Sequence, residues 1–181
     1  MEAANRGARE GGGVLLNQCP HNLDMYQWIF GMPNRVEGFA HIGKYHNIEV
    51  EDNVTVYLEY PNGATGVFVS STGETPGTNR FEIVGTRGTL HWDNTDGILH
   101  FQRMPAPFGS YSDQPPSPVL ESFAPPEGFE RNQLFLAQTR HFLDVVRSGS
   151  EPVCTLTDGV MALRLAHAAY ASQRSGTTQK I

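Results

Sequence analysis

The stretch NVTVYLEYPNGATGVFVSST, residues 53–72, predicts a β-hairpin and with it an antiparallel sheet. Its first half alternates Val54, Val56 and Leu58 with polar or aromatic residues, which is the pattern of a strand that buries one face. The sequence PNG at 61–63 carries the Asn-Gly signal of a tight hairpin turn. We therefore predict two paired strands, at 53–60 and 66–72.

Outside this hairpin, short apolar stretches separated by turn residues indicate four more strands. We place them at 35–42, 80–84, 89–92 and 97–103. The sequence GTRG at 85–88 is a second hairpin-like turn between two of them. Six short strands joined by tight turns imply a mainly antiparallel sheet.

Helical periodicity is found on both sides of the strands. It predicts helices at 15–30, at 129–147, and from an N-cap at Thr157 to about Ser172. Gly31 is suited to end the first helix, and Pro33 prevents the helix from resuming. More than half of the prolines lie within 105–126, so we expect a long surface loop there.

These elements define an α+β fold class, with an open, mainly antiparallel β-sheet and helices packed on one face. A chain of 181 residues has room for one domain with a sizeable core, so we expect a single domain over 1–181. The polar, glycine-rich residues 1–10 are expected to be poorly ordered.

Composition and charge exclude several classes of partner. The net charge is −6 and the basic residues are scattered, so we expect no nucleic-acid partner. No apolar run approaches the about 20 residues that a membrane helix needs, so we expect no membrane partner. Two cysteines in a chain of this length, Cys19 and Cys154, are typical of reduced thiols in the cytoplasm. No cysteine or histidine spacing predicts a metal site.

Three polar residues in the first helix are candidates for chemistry. Asn17 and His21 are four residues apart and Asp24 follows three later, so all three lie on one side of a helix. Histidine moves protons near neutral pH, and an amide can both donate to and accept from a substrate hydroxyl. This set suits the oxidation of a secondary alcohol, with Asp24 orienting His21. The alternative is structural, with Asn17 as a helix cap and His21 and Asp24 as an ordinary exposed pair.

A resemblance to a known family favours the catalytic interpretation. The run GGGVLLNQCPHNLDMYQWIFGMP, residues 11–33, resembles the start of the second domain of the Gfo/Idh/MocA oxidoreductases, named for glucose–fructose oxidoreductase and inositol dehydrogenase. Further segments match that family in order: 48–52, 60–63, 82–90, 142–149, 157–159 and 169–172. The likeness extends from Gly11 nearly to the end of the chain.

The resemblance implies that one domain binds the substrate and another binds the cofactor. It makes His21 the catalytic residue that exchanges a proton with a sugar, inositol or polyol substrate, with Asn17 binding that substrate. NAD or NADP would be bound mainly by the chain's own N-terminal Rossmann domain, which is absent here, so we assign no cofactor-binding residue. The exposed sheet face would form a homo-oligomer. The isolated chain would be inactive.

Two departures from the family pattern limit what can be carried over. Asn17 stands where many members have Asp, and an amide cannot relay a proton. The glycines at 11–13 have neither a preceding strand nor the GxxG spacing of a dinucleotide loop. The Glu-Lys-Pro motif, whose lysine shares the proton work, is also missing from this chain.

The segment between the first two strands supplies two further candidates. Tyr45 and His46, with the adjacent Asn47, could line the substrate cleft, because they lie in a loop between two strands, and Asp24 of the first helix is also assigned to substrate binding. His41 and His46 could suggest a metal, but no third ligand is close in the sequence. Two alternative functions stay open: an NAD-dependent glycosidase on the same scaffold, and a stand-alone, non-enzymatic dimerisation or sugar-binding module.

Overall fold

The computed structural model describes residues 12–106 and 116–181. Its helices are α1 (Val14–Asn17), α2 (Pro20–Phe30), α3 (Asn132–Ser148) and α4 (Leu156–Ser175). Its strands are β1 (Arg35–Ile42), β2 (Glu51–Glu59), β3 (Thr65–Ser71), β4 (Arg80–Gly85), β5 (Gly88–Asp93), β6 (Leu99–Arg103), β7 (Val119–Phe123) and β8 (Gln179–Lys180). They form two compact units, Met1–Glu74 with Ser148–Ile181, and Thr75–Arg147.

The first unit is a four-stranded antiparallel sheet with helices on one face. The strand order is β3-β2-β1-β8, and β2 pairs with β1 from Glu51 to Glu59 and with β3 from Asn53 to Glu59. Val54, Val56 and Leu58 of β2 are almost completely buried beneath α1, α2 and α4. The alternate residues of β2 lie on the opposite face of the sheet, as the period of two requires.

The second unit contains a second antiparallel sheet. Its strand order, β4-β5-β6-β7, follows the chain, so each strand pairs with the next through a short connection or a longer loop. Helix α3 belongs to this part of the chain and buries none of its residues. The large apolar residues of this helix are therefore mostly exposed, including Phe135, Phe142 and Val146.

The α+β class and the antiparallel pairing are confirmed. Every predicted strand is present with bounds shifted by no more than two residues, but the strands divide between two sheets. The prediction of a single helix over 15–30 is wrong, because the helix is interrupted between Asn17 and Pro20. Pro20 lacks the N–H that would continue the helix and takes the first position of α2 instead.

Two other boundaries differ from the sequence prediction. Within the expected loop at 105–126, Val119–Phe123 forms β7 and pairs with the edge of β6, whereas 107–115 lie outside the described residues, as do 1–10. The last helix is capped by Thr155 and not by Thr157. Thr155 and Asp158 accept each other's backbone N–H, a reciprocal capping box that fixes the start of α4.

Helix α4 crosses β1 at a point where only glycine fits. A Cβ built on Gly38 would lie 2.5 Å from the carbonyl oxygen of Ala169 and 2.9 Å from its Cα. The Gly38 N–H also donates to Ser172 Oγ at 3.0 Å, which ties the strand to the helix. The approach of β1 to α4 therefore depends on this missing side chain.

We expect Gly38→Ala to lower the free energy of unfolding by about 1–3 kcal/mol, because the helix backbone must move to admit the methyl group. Gly66→Ala in β3 is the matched control, since its Cβ would meet nothing closer than 3.7 Å. Urea denaturation measures both. Equal stability of the two variants would contradict the close packing of β1 on α4.

Candidate active site

Two of the candidate residues flank the break between α1 and α2. Asn17 is the last residue of α1 and His21 is the second residue of α2, and both are exposed. Cys19 occupies the N-cap position of α2 and makes no side-chain cap hydrogen bond. The structural alternative in which Asn17 caps this helix is therefore wrong.

Asp24 lies one turn further along α2 and is partly buried. Its Oδ1 accepts a hydrogen bond of 2.9 Å from Gln27 Nε2. The Asp24 carboxylate is thus held by a residue of its own helix. It stays on the same helix as His21, three residues away, which is the spacing of neighbours on a helix surface.

Helix α1 is anchored at its start by Glu51 of β2. The Leu15 N–H donates to Glu51 Oε1 at 3.1 Å, and the Tyr170 hydroxyl of α4 donates to the same oxygen. Glu51 is only 6% exposed. Burial first, and then the hydrogen bond to Glu51, raise the pKa of Tyr170. The carboxylate therefore fixes a one-turn helix that has little stability of its own.

The loop between β1 and β2 is anchored by the next residue, Asp52. Its Oδ1 accepts from the Lys44 N–H at 2.9 Å, and its Oδ2 accepts from the N–H groups of Tyr45 at 2.7 Å and His46 at 2.9 Å. Asp52 is fully buried. Burial alone raises the pKa of its carboxyl, but the hydrogen bonds from Tyr45, His46 and Lys44 outweigh burial and leave the pKa lowered.

The side chains of this loop make contacts with the start of the segment after β3. His46 Nδ1 lies 3.3 Å from Asp52 Oδ2 and 3.2 Å from Thr72 Oγ1. The Tyr45 ring lies against Gly73, where a Cβ would come within 2.3 Å of it. Both side chains are about half exposed, so they make these contacts and still present polar groups to solvent.

The structure thus assembles the five candidates in two groups, each held by its own anchor. Asn17, His21 and Asp24 lie on the consecutive helices α1 and α2. Tyr45 and His46 lie on the loop gathered around Asp52. Glu51 and Asp52 were not among the predicted site residues, although two adjacent acids before an alternating apolar strand are a visible signal in the sequence.

Three further features concern metal sites, disulfides and membrane spans in the part of the chain that the structure describes. His46 contacts Asp52 and Thr72, and residues 12–106 and 116–181 contain no group of three His, Cys, Asp or Glu side chains that could hold a metal ion. Cys19 is buried and Cys154 exposed, and neither forms a disulfide. None of the helices described is long and apolar enough to cross a membrane.

Comparison with known proteins matches nearly the whole chain to one family. A family profile described as "Oxidoreductase family, C-terminal alpha/beta domain" (GFO_IDH_MocA_C) matches residues 5–181. Myo-inositol 2-dehydrogenase of Thermotoga maritima is 28% identical over 185 residues, covering 96% of this chain and 50% of that protein. D-apiose dehydrogenase of Rhizobium rhizogenes is 31% identical over 169 residues, covering 89% of this chain and 46% of that protein.

Solved structures share the fold. Levoglucosan dehydrogenase, solved in complex with NADH and levoglucosan, superposes with a TM-score of 0.78 at 16% identity. The match covers 94% of this chain and 51% of that one. The chain therefore spans about half the length of the relatives it matches.

The contacts of His46 predict its tautomer. A carboxylate only accepts hydrogen bonds, so Asp52 Oδ2 favours the form of neutral His46 that carries its proton on Nδ1. Long-range ¹H–¹⁵N correlation spectra of the imidazole ring measure this, with the exposed His167 of α4 as an internal reference. A neutral His46 ring protonated mainly on Nε2 would contradict the contact.

Proposed function

The chain belongs to the Gfo/Idh/MocA oxidoreductase family as its C-terminal alpha/beta domain, and on that premise we propose a function for it. The chain is the substrate-binding and oligomerisation domain of an NAD(P)-dependent oxidoreductase that acts on a sugar, inositol or related polyol. NAD or NADP is bound mainly by an N-terminal Rossmann domain outside these residues. The 181-residue chain alone is expected to be inactive, since it offers no dinucleotide-binding loop.

The proposal is carried by an exposed imidazole that follows an exposed amide by four residues. His21 is the second residue of α2 and Asn17 the last residue of α1, and both are exposed on either side of the break between the two helices. In this role the amide of Asn17 holds the hydroxyl of the substrate, and the imidazole of His21 takes the hydroxyl proton. The nicotinamide, when bound, supplies the acceptor for the hydride that leaves the same carbon, so that the alcohol becomes a carbonyl.

The other candidate residues bind the remaining hydroxyls of the substrate. Asp24 offers carboxylate oxygens as acceptors, and Tyr45 and His46 offer an aromatic ring and groups that both donate and accept. A sugar or polyol presents several such hydroxyls around an apolar ring or chain. Support for this substrate class comes from the relatives, among them an inositol dehydrogenase and an apiose dehydrogenase.

Self-association through the first sheet is the second part of the proposal. The face opposite the helices presents Phe39, Val67 and Val69, each at least half exposed. Phe39 of β1 and Val69 of β3 pair with the same residue of β2, Thr55, so all three side chains lie on this face of the sheet. An apolar surface of this kind is typical of an interface between subunits.

The free thiols of Cys19 and Cys154 support a reducing, cytoplasmic location.

His21→Ala in the full-length protein tests the catalytic role. We expect kcat to fall by about a hundred- to ten-thousand-fold, the usual loss when a general base is removed. The assay follows NADH or NADPH formation with a panel of myo-inositol, D-apiose and levoglucosan. His167→Ala is the matched control, because His167 is also an exposed helical histidine of the first unit, and it should keep the wild-type rate.

The same assay separates the proposal from its alternatives. Steady formation of reduced cofactor identifies a dehydrogenase, whereas a glycosidase would cleave a glycoside without net consumption of NAD. A stand-alone binding module would bind sugar and oxidise nothing. An unchanged rate in His21→Ala would remove His21 from the mechanism.

Charge placed on the apolar sheet face tests the oligomer. We expect Val67→Glu with Val69→Glu to convert the full-length protein to monomers, because two carboxylates would have to be buried in the interface. Val153→Glu is the control, since Val153 is 84% exposed in the segment before α4. Sedimentation velocity measures the result. An oligomer that survives both charges would place the interface elsewhere.

A further inference from the structure

Asp52 is a buried residue of β2 that anchors the loop between β1 and β2. It is a carboxylate with no exposed area, it receives three consecutive backbone N–H groups, and those groups belong to Lys44, Tyr45 and His46. Burying a carboxylate is costly unless its oxygens are fully hydrogen-bonded. The N–H groups of a tight loop meet that requirement, and the loop in turn acquires one defined conformation.

The strand that carries Asp52 is itself held firmly. The Thr72 N–H donates to the Asp52 carbonyl at 3.0 Å, and β1 rejoins β2 where Ile42 pairs with Glu51. One residue further into the loop on each side, the Gly43 N–H donates to the Val50 carbonyl at 3.3 Å, which joins the two ends of the loop. Gly43 has a φ of +59°, which favours glycine at this turn. The carboxylate therefore reaches into a loop whose two ends are already fixed.

We propose that Asp52 is a positioning residue that holds the 44–46 segment so that Tyr45 and His46 meet the substrate. This inference rests on the substrate-binding role given to Tyr45 and His46 in the proposed function. Asp52 itself is buried and does not touch the substrate. It acts through the backbone of Tyr45 and His46 and through the contact with the His46 ring.

The chemistry of the carboxylate explains why an amide should not replace it. Both oxygens of Asp52 accept, with Oδ1 taking one N–H and Oδ2 taking two. In Asp52→Asn, one of these oxygens becomes an NH₂ group that only donates. It would then face backbone N–H donors at hydrogen-bonding distance, and at least one of the loop contacts must open.

Asp52→Asn in the full-length protein is the main test, with two readouts. We expect amide hydrogen exchange at 44–46 to accelerate at least tenfold, while exchange of the central β2 amides stays unchanged. We expect KM for the best substrate of the panel to rise about tenfold, the effect of losing one hydrogen bond to a charged group. The value of kcat and the KM for NAD or NADP should stay within about threefold of wild type, since the proton step at His21 is not altered.

Glu49→Gln is the matched control for charge. Glu49 is an exposed carboxylate in the same loop, so its substitution removes one negative charge and leaves the Asp52 hydrogen bonds in place. Its exchange rates and KM should equal those of wild type. A KM that rises equally in Glu49→Gln and Asp52→Asn would overturn the proposal, because loss of charge alone would then explain the effect.

The outcomes for Asp52 and for the proposed function are separable. Unchanged exchange at 44–46 in Asp52→Asn overturns the positioning role, as does faster exchange with an unchanged KM. If no substrate of the panel is oxidised, the proposed function fails and the exchange result alone decides about the loop. If Asp52→Asn does not fold, Thr72→Val takes its place, because it removes the hydroxyl that lies beside His46 Nδ1 and donates to the Asp52 carbonyl. A two- to threefold rise in its KM, about the loss of one weak contact, supports the proposal, and an unchanged KM overturns it.

Discussion

The burial of one face of β2 under helices is the constraint on which the first unit depends. Val54, Val56 and Leu58 lose nearly all contact with water beneath the helices, and Leu165 of α4 is equally buried. Full burial of such side chains contributes about 1.5–3 kcal/mol each. Because strand side chains alternate, the same pairing that buries these residues fixes which residues occupy the other face.

Two adjacent carboxylates connect this packed sheet to the segments that carry the candidate site residues. Glu51 fixes the start of α1, and Asp52 fixes the loop that carries Tyr45 and His46. Both are buried at the first residues of β2, so the two groups of candidate residues are anchored from neighbouring positions on one rigid strand. Placing site residues on short, externally anchored segments keeps them exposed while limiting their motion.

In the second unit, the sequence predicts an amphipathic helix whose apolar side is not buried. Helix α3 has an apolar side that includes Phe135, Phe142 and Val146, yet these side chains are largely exposed in this chain. The amphipathic pattern predicted the helix correctly because local periodicity and propensity suffice for that. The same pattern does not say which surface the apolar side meets, and that depends on elements distant in the sequence.

The sequence by itself determined the elements whose signals are local. The alternation from Val54 to Leu58, the Asn-Gly turn and the glycine at 31 each act over a few residues, so the hairpin and the end of α2 could be predicted. The tertiary structure alone decided the division into two sheets, the strand β7 and the roles of Glu51 and Asp52. Those features exist only after chain pairing brings the loop, α1 and α4 to the start of β2, and no local pattern encodes a partner that is distant until the chain folds.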